Sequence, residues 1–210
     1  MSTSHPHNYP DGHTIFLSLG ANRGDRKNNL EQALQRLAKI IVIQAVSSLY
    51  ETEPVGEGGK PLSYDQEGQL PYDQEEGMPY GREGDLPYDQ EGGKPLPYFL
   101  NLACQGRTNL EPDHLLAALK EIEASLGRRP SFRNAPRSID IDILLYDNLQ
   151  VTLPQLVIPH PRMRERAFVL IPLAEIAPLT IEPISGQTIQ QLALHVSMQS
   201  VYKIGTVSKP

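Results

Sequence analysis

The chain has no tryptophan, one cysteine and no G-x-x-x-x-G-K-[ST] phosphate loop anywhere in its 210 residues. It also lacks an apolar run long enough to span a bilayer, and no basic-then-apolar leader opens it. Each absence excludes something. A single cysteine, Cys104, rules out an internal disulfide framework and a cysteine-based zinc site. Set in the apolar run Leu100 to Cys104, it reads as a small core residue. Without the phosphate loop, any nucleotide must be held by other means. Positive charge is scarce as well: the formal net charge is −6, which argues against a nucleic-acid binder held by phosphate contacts. A cytoplasmic protein without membrane or nucleic-acid partners fits these limits.

The acidity is confined to one segment. Leu62, Leu70, Met78 and Leu86 each begin an eight-residue unit, most complete as Leu86-Pro87-Tyr88-Asp89-Gln90-Glu91-Gly92. Between Gly56 and Pro97 there are ten acidic and three basic residues, a net of −7, which leaves +1 for the rest. Recurrent Pro and Gly at a period of eight can sustain neither a helix nor a sheet ladder. Residues 57–97 therefore read as an extended or disordered low-complexity insertion in a domain covering 14–185. Residues 1–13 read as a disordered tail and 186–210 as a C-terminal extension.

Around the insertion the pattern is regular. Thr14 to Leu19 alternates as a strand, and Gly20-Ala21-Asn22-Arg23-Gly24-Asp25 is a turn ending in a candidate N-cap. Leu30, Ala33, Leu34, Leu37 and Ile41 form the apolar stripe of a helix. Val42 to Tyr50 reads as one second strand and Tyr98 to Cys104 as a third. In the latter, Leu100, Leu102 and Cys104 face the core, and Phe99 and Asn101 face away. Pro112 opens a second helix with the stripe Leu115, Leu119, Ile122 and Leu126, stopped by Gly127. A helix over Phe168 to Ile176 and a short one after Thr188 complete the chain. The order β-α-β, β-α-β predicts an α+β fold, a ferredoxin-like β-α-β-β-α-β sandwich with a C-terminal helical extension. Its helices cover one face of the sheet and leave the other free.

Chemistry concentrates in Pro136-Arg137-Ser138-Ile139-Asp140-Ile141-Asp142-Ile143. Isoleucines at period two define a strand with one apolar face, so Asp140 and Asp142 share the other. Their Cα atoms stand about 6.5–7 Å apart, close enough for both carboxylates to converge on divalent cations. Arg128, Arg129, Arg133 and Arg137 precede them with no acidic residue between, and guanidinium forks match phosphate oxygens. Carboxylates and arginines together point to a metal-bound polyphosphate, the usual substrate form in phosphoryl transfer. Phe99 and Asn101 add an aromatic platform and an amide able to read a heterocycle's edge. A metal-dependent phosphohydrolase and a non-enzymatic ligand or RNA binder are the competing readings; near-neutral domain charge and missing RNA-stacking aromatics weigh against the second.

These residues carry a resemblance. Leu19-Gly20-Ala21-Asn22, Ser47 to Thr52, Tyr98-Phe99-Leu100-Asn101, Ile122-Glu123, Leu126-Gly127-Arg128, Pro136 to Leu144 and Pro159-His160-Pro161-Arg162-Met163 are similar to the 6-hydroxymethyl-7,8-dihydropterin pyrophosphokinases of folate synthesis. The similarity runs from 14 to 178 apart from the repeat. It implies a ferredoxin-like core, acting as a monomer, that transfers pyrophosphate from ATP to the pterin hydroxymethyl group and leaves AMP. It further implies two Mg2+ ions on Asp140 and Asp142, with Arg128 and Arg137 gripping the phosphates. ATP would also meet Glu123, His160 and Arg166. The pterin would stack between Phe99 and Phe168 and be read by Thr52, Asn101 and the backbone near Val55. Three departures stand out. Asn134 occupies a loop position where members often have Trp, and Pro130 displaces a second arginine, which implies looser closure over ATP. The repeat falls in the loop after Thr52, where members have a short segment bordering the pterin.

Overall fold

The computed structural model describes residues 12–52, 98–128, 137–196 and 201–208. The insertion, Val55 and most of the arginine loop, including Asn134, lie outside the described residues, as does the tail up to residue 11. His13, placed in the tail by sequence, instead begins the first strand.

A six-stranded antiparallel sheet forms the centre. Strands β1 (His13–Ala21), β2 (Val42–Val46), β3 (Leu49–Thr52), β4 (Phe99–Thr108), β5 (Asp140–Tyr146) and β8 (Val201–Gly205) lie in the order β5-β1-β4-β3-β8, with β2 also paired to β4. A two-stranded ribbon, β6 (Val151–Leu153) and β7 (Leu156–Ile158), stands beside it. Helices α1 (Arg26–Leu37), α2 (Pro112–Ser125), α3 (Ala167–Ile176) and α4 (Ile189–His195) complete the described elements.

The local signals behave as their chemistry requires. Asp25 Oδ1 accepts from Asn28 N at 3.0 Å and caps α1. Pro112 occupies the first turn of α2, and Gly127, at φ 83°, adopts the left-handed conformation that ends it. Thr188 and Gln191 form a reciprocal capping box at the start of α4.

One face of the sheet matches the apolar pattern. Ile15, Leu17 and Leu19 of β1, Leu100, Leu102 and Cys104 of β4, and Ile139, Ile141 and Ile143 around β5 pack on the stripes of α1 and α2. The other face is not free, which corrects the sequence expectation. Phe16, Ala103, Leu144 and Leu145 bury against Val169, Leu170 and Leu173 of α3 and Leu192 of α4. Helix α3 is apolar nearly all round, as a helix enclosed on most sides must be. A register shift opposite Phe16 and Leu17 leaves Leu144 unpaired, and this bulge turns Leu144 and Leu145 together toward α3.

Two further expectations change. Val42 to Tyr50 is two strands, not one. Val46 pairs with Cys104 and Tyr50 with Asn101, so three residues on this side, Ser47 to Leu49, stand opposite two of β4. Ser47 fills the break: its Oγ donates to Ser48 O and accepts from Ala103 N, at 2.8 and 2.9 Å. The C-terminal extension is only partly helical, because β8 follows α4 and pairs with β3.

Glu175 ties α3 to this corner. Its carboxylate accepts from Ser48 N (3.0 Å), Ser48 Oγ (2.8 Å), Tyr50 OH (2.8 Å) and Lys203 Nζ (3.1 Å). Burial alone would raise its pKa, but these donors outweigh burial and hold it below the ordinary glutamate value. A carboxyl whose folded pKa is depressed stabilises the fold above its unfolded pKa, and that contribution is lost as pH falls through the folded value. Glu175→Ala is therefore expected to cost about 2 kcal/mol at pH 7. The deficit should shrink below pH 4.5, as the wild-type carboxyl takes up its proton. Urea unfolding at pH 7 and pH 3 measures both arms.

Candidate active site

The polar end of the second sheet face begins with a gap. Gly20 of β1 stands between Asp140 of β5 and Asn101 of β4 in the strand register. A Cβ there would meet Asn101 Oδ1 at 3.0 Å, tighter than ordinary packing allows. Strands lie about 4.8 Å apart, so Asp140 and Asn101 are separated by roughly 9.6 Å across a floor with no side chain of its own.

On the β5 side, Asp140 is held by two arginines. Arg128 Nη1 lies 2.7 Å from Asp140 Oδ1, and Arg137 Nη1 lies 2.7 Å from Oδ2. Burial works against its charge, but Arg137 and then Arg128 and Lys120 prevail and lower its pKa. Asp142 differs. Its nearest ion-pairing partner among the described residues is the His160 ring, with Nε2 4.0 Å from Oδ2. Burial, and next the charge of Asp140, push its pKa up against Lys120, Arg166 and Arg128. Among the described residues the two carboxylates on one face thus have opposite environments: Asp140 pairs with two arginines, and Asp142 with none.

Arg128 is positioned from behind by Glu123. That carboxylate, 2% exposed, ion-pairs with Arg128, lies 3.0 Å from Lys120 Nζ and accepts from Ile141 N at 2.7 Å. Burial pushes the Glu123 carboxyl up, while the Ile141 N–H, Lys120 and Arg128 pull against that. Arg137 is positioned through its backbone: Asn22 Oδ1 accepts from Arg137 N at 2.7 Å, and Asn22 N donates to Arg137 O at 3.1 Å. Sequence reasoning read Asn22 as a turn residue and passed over Lys120. Position alone gave a clue to Lys120, which stands three residues before Glu123 on the same helix face.

His160 enters from the loop after β7. Its backbone N donates to Leu144 O at 3.0 Å, and its Nδ1 accepts from Arg162 N at 3.2 Å. An accepting Nδ1 leaves the proton on Nε2, the atom facing Asp142. Burial and the adjacent Arg166 lower the imidazole pKa to about 4, so the ring is neutral at pH 7. The Arg166 guanidinium lies 5.5 Å from the centre of the Phe168 ring, at the start of α3.

On the β4 side, Asn101 Nδ2 donates to Thr52 Oγ1 at 2.8 Å, and both residues are buried. Phe99 pairs with Thr52 in the ladder and is half-buried. The structure thus gathers Glu123, Arg128, Arg137 and Asp140 into one ion network, sets Asp142 with His160, and joins Thr52 to Asn101. Val55 lies outside the described residues.

Among the described residues no third carboxylate, histidine or cysteine joins the aspartates as a metal cluster. Their hard oxygen donors nonetheless suit Mg2+, which is held by one or two carboxylates and completed by water and substrate phosphates. An antiparallel α/β protein with two arginines on one carboxylate and a second carboxylate two residues on has the side chains that the class of phosphoryl-transfer proteins uses on metal-bound polyphosphates.

Comparison narrows the class to a family. A family model described as 7,8-dihydro-6-hydroxymethylpterin-pyrophosphokinase matches residues 16–67 and 87–178, and the chain belongs to that family. The unmatched residues between the two blocks fall inside the octapeptide repeat. The 2-amino-4-hydroxy-6-hydroxymethyldihydropteridine pyrophosphokinase of Bacillus subtilis is 37% identical over 163 residues, covering 77% of this chain and 76% of that protein. Its counterpart in Methylorubrum extorquens is 35% identical over 191 residues, covering 90% and 97%. The folic acid synthesis protein FOL1 of Dictyostelium discoideum is 36% identical over 182 residues, but this chain spans only 22% of it. In fold, the wild-type Plasmodium falciparum HPPK-DHPS crystal structure with pteroate superposes with a TM-score of 0.61 at 20% identity, covering 88% of this chain and 44% of that one.

Proposed function

We propose that this chain transfers the terminal pyrophosphate of ATP to 6-hydroxymethyl-7,8-dihydropterin, a step of folate synthesis. The observation that carries the residue roles is the Gly20 floor, with a phosphate-binding network at one edge and a buried amide–hydroxyl pair at the other. The hydroxymethyl oxygen attacks the β-phosphorus of ATP, the bridge between the α- and β-phosphates breaks, and AMP departs. The hydroxyl proton leaves to solvent, since positioning and charge stabilisation suffice without a dedicated base.

Arg128 and Arg137 donate hydrogen bonds to the phosphates of ATP. Asp140 keeps both guanidinium groups at the site before substrate arrives, so less ordering is required when it binds. Asp140 and Asp142 would hold Mg2+, two ions by family analogy, which when bound spreads the charge of the phosphates. His160 and Arg166 serve the nucleotide, and Glu123 serves it through Arg128. Thr52 and Asn101 read the pterin edge, with backbone near Val55 helping, while Phe99 and Phe168 provide its stacking faces.

The sheet order β5-β1-β4-β3, with α1 and α2 on one face, supports reading the core as ferredoxin-like. We take residues 14–185 as the catalytic domain and the protein as a cytoplasmic monomer without nucleic-acid or membrane partners. Among the described residues no helix is long and apolar enough to cross a membrane.

AMP release from ATP, with and without the hydroxymethyl-dihydropterin, tests the reaction. AMP formed only with pterin supports it, and phosphate released without pterin points to a hydrolase instead. The repeat is proposed as a passenger. Replacing residues 58–95 by a short glycine linker should preserve turnover within about threefold, since closing a loop of forty rather than five residues costs only about 2 kcal/mol. Collapse of activity would assign the repeat a role.

A further inference from the structure

The family match ends at residue 178, yet the chain continues into a strand of the same sheet. β3 has only four residues, and its last, Thr52, presents the hydroxyl that meets Asn101. β4 supports it on one side through Tyr50–Asn101, Glu51–Leu100 and Thr52–Phe99. β8 supports it on the other through Tyr50–Lys203, Glu51–Tyr202 and Thr52–Val201. Without β8, β3 would be a sheet edge with one row of backbone groups unpaired.

A side chain repeats the attachment. Lys203 Nζ lies 3.1 Å from Glu175 Oε1, on the same carboxylate that receives Ser48 and Tyr50. β8 is thereby fastened to both ends of β3, and Val207 just beyond it packs on the main core. The exposed faces of Tyr202 and Ile204 play no part in this fastening.

We propose that β8 is a positioning strand for the pterin side of the site. By giving β3 a second ladder and Glu175 its lysine, it holds Thr52 where the hydroxyl engages Asn101. This rests on the reading that Thr52 and Asn101 contact the pterin. Lys203 is a positioning residue, remote from the reacting atoms. It acts on pterin affinity and leaves the arginine–aspartate network, on the far side of Gly20, undisturbed.

The test compares full-length chain, Lys203→Glu, Lys203→Arg and a chain ending at residue 200. Deletion of the strand should raise KM for the hydroxymethyl-dihydropterin about tenfold and leave KM for ATP within about twofold. Lys203→Glu, which sets two carboxylates against each other, should raise the pterin KM about threefold, and Lys203→Arg should stay at the parent value. General loss of folded protein would lower kcat without separating the two KM values. Unchanged pterin KM, or equal rises in both, would overturn the proposal; if the shortened chain does not fold, Lys203→Glu decides alone. Amide exchange of β3 in Lys203→Glu gives an activity-free reading, with about tenfold faster exchange expected and an unchanged rate contradicting the proposal. Absence of pterin-dependent AMP in the parent chain would instead sink the functional reading and leave the exchange result standing.

Discussion

Asp142→Asn is expected to reduce AMP formation by about 10³-fold while leaving the urea midpoint at or above that of the parent. The two halves of this outcome have separate causes. Asp142 carries a charge that burial and Asp140 both oppose more strongly than the more distant Lys120, Arg166 and Arg128 support it, and its nearest ion-pairing partner among the described residues is a neutral imidazole 4.0 Å away. Removing that charge relieves the fold. The same charge is what a magnesium-bound triphosphate requires, so its loss removes charge stabilisation from the transition state. Asp140→Asn should lose comparable activity but also about 2 kcal/mol of stability, because Arg128 and Arg137 lose the carboxylate charge between them and one of the two its 2.7 Å acceptor. Rates with Mg2+ and urea curves on both variants check the contrast. Turnover surviving in either variant would remove that carboxylate from the mechanism.

Glu123→Ala should be the most destabilising of the polar substitutions, by about 3–5 kcal/mol. It would strip three partners at once: the buried Ile141 N–H loses its acceptor, and Arg128 and Lys120 lose their counter-charge. Because Arg128 is then held by Asp140 alone, kcat/KM for ATP should fall with stability. Glu123→Gln should cost about half as much, since an amide oxygen can still accept from Ile141 N. An unfolding midpoint equal to the parent's in Glu123→Ala would show that the network has another anchor.

Much of this site was legible in the chain because it rests on period-two arithmetic. Isoleucines at 139, 141 and 143 force Asp140 and Asp142 onto one face, whatever else the protein does. The stripes of α1 and α2 were equally readable, as were their caps at Asp25 and Pro112. What escaped were contacts between residues far apart in sequence. Asn22 and Arg137 lie 115 residues apart, and nothing local to either announces their two hydrogen bonds. Glu123 looked like a nucleotide-side carboxylate, and its burial against Ile141 emerges only when α2 lies on β5. Val42 to Tyr50 misled for a related reason: its apolar pattern is continuous, and the break at Ser47 is set by the register of β4.

Sequence alone determined which residue types face which way wherever an element keeps its regular period, as helix and strand periods are properties of the backbone, but not at the Leu144–Leu145 bulge. It also determined the chemistry of Asp140, Asp142, Arg128 and Arg137, because carboxylates and guanidinium groups carry their charge into any fold. Tertiary structure decided how that charge is divided. Packing set two arginines against Asp140 and, among the described residues, none within ion-pair distance of Asp142; with burial added, the pKa values of chemically identical side chains two residues apart shift in opposite directions. It also brought β8 to β3, a pairing across about 150 residues that local pattern does not encode. Local periodicity orients side chains; only the assembled sheet decides their neighbours, and the neighbours set the charge of the site.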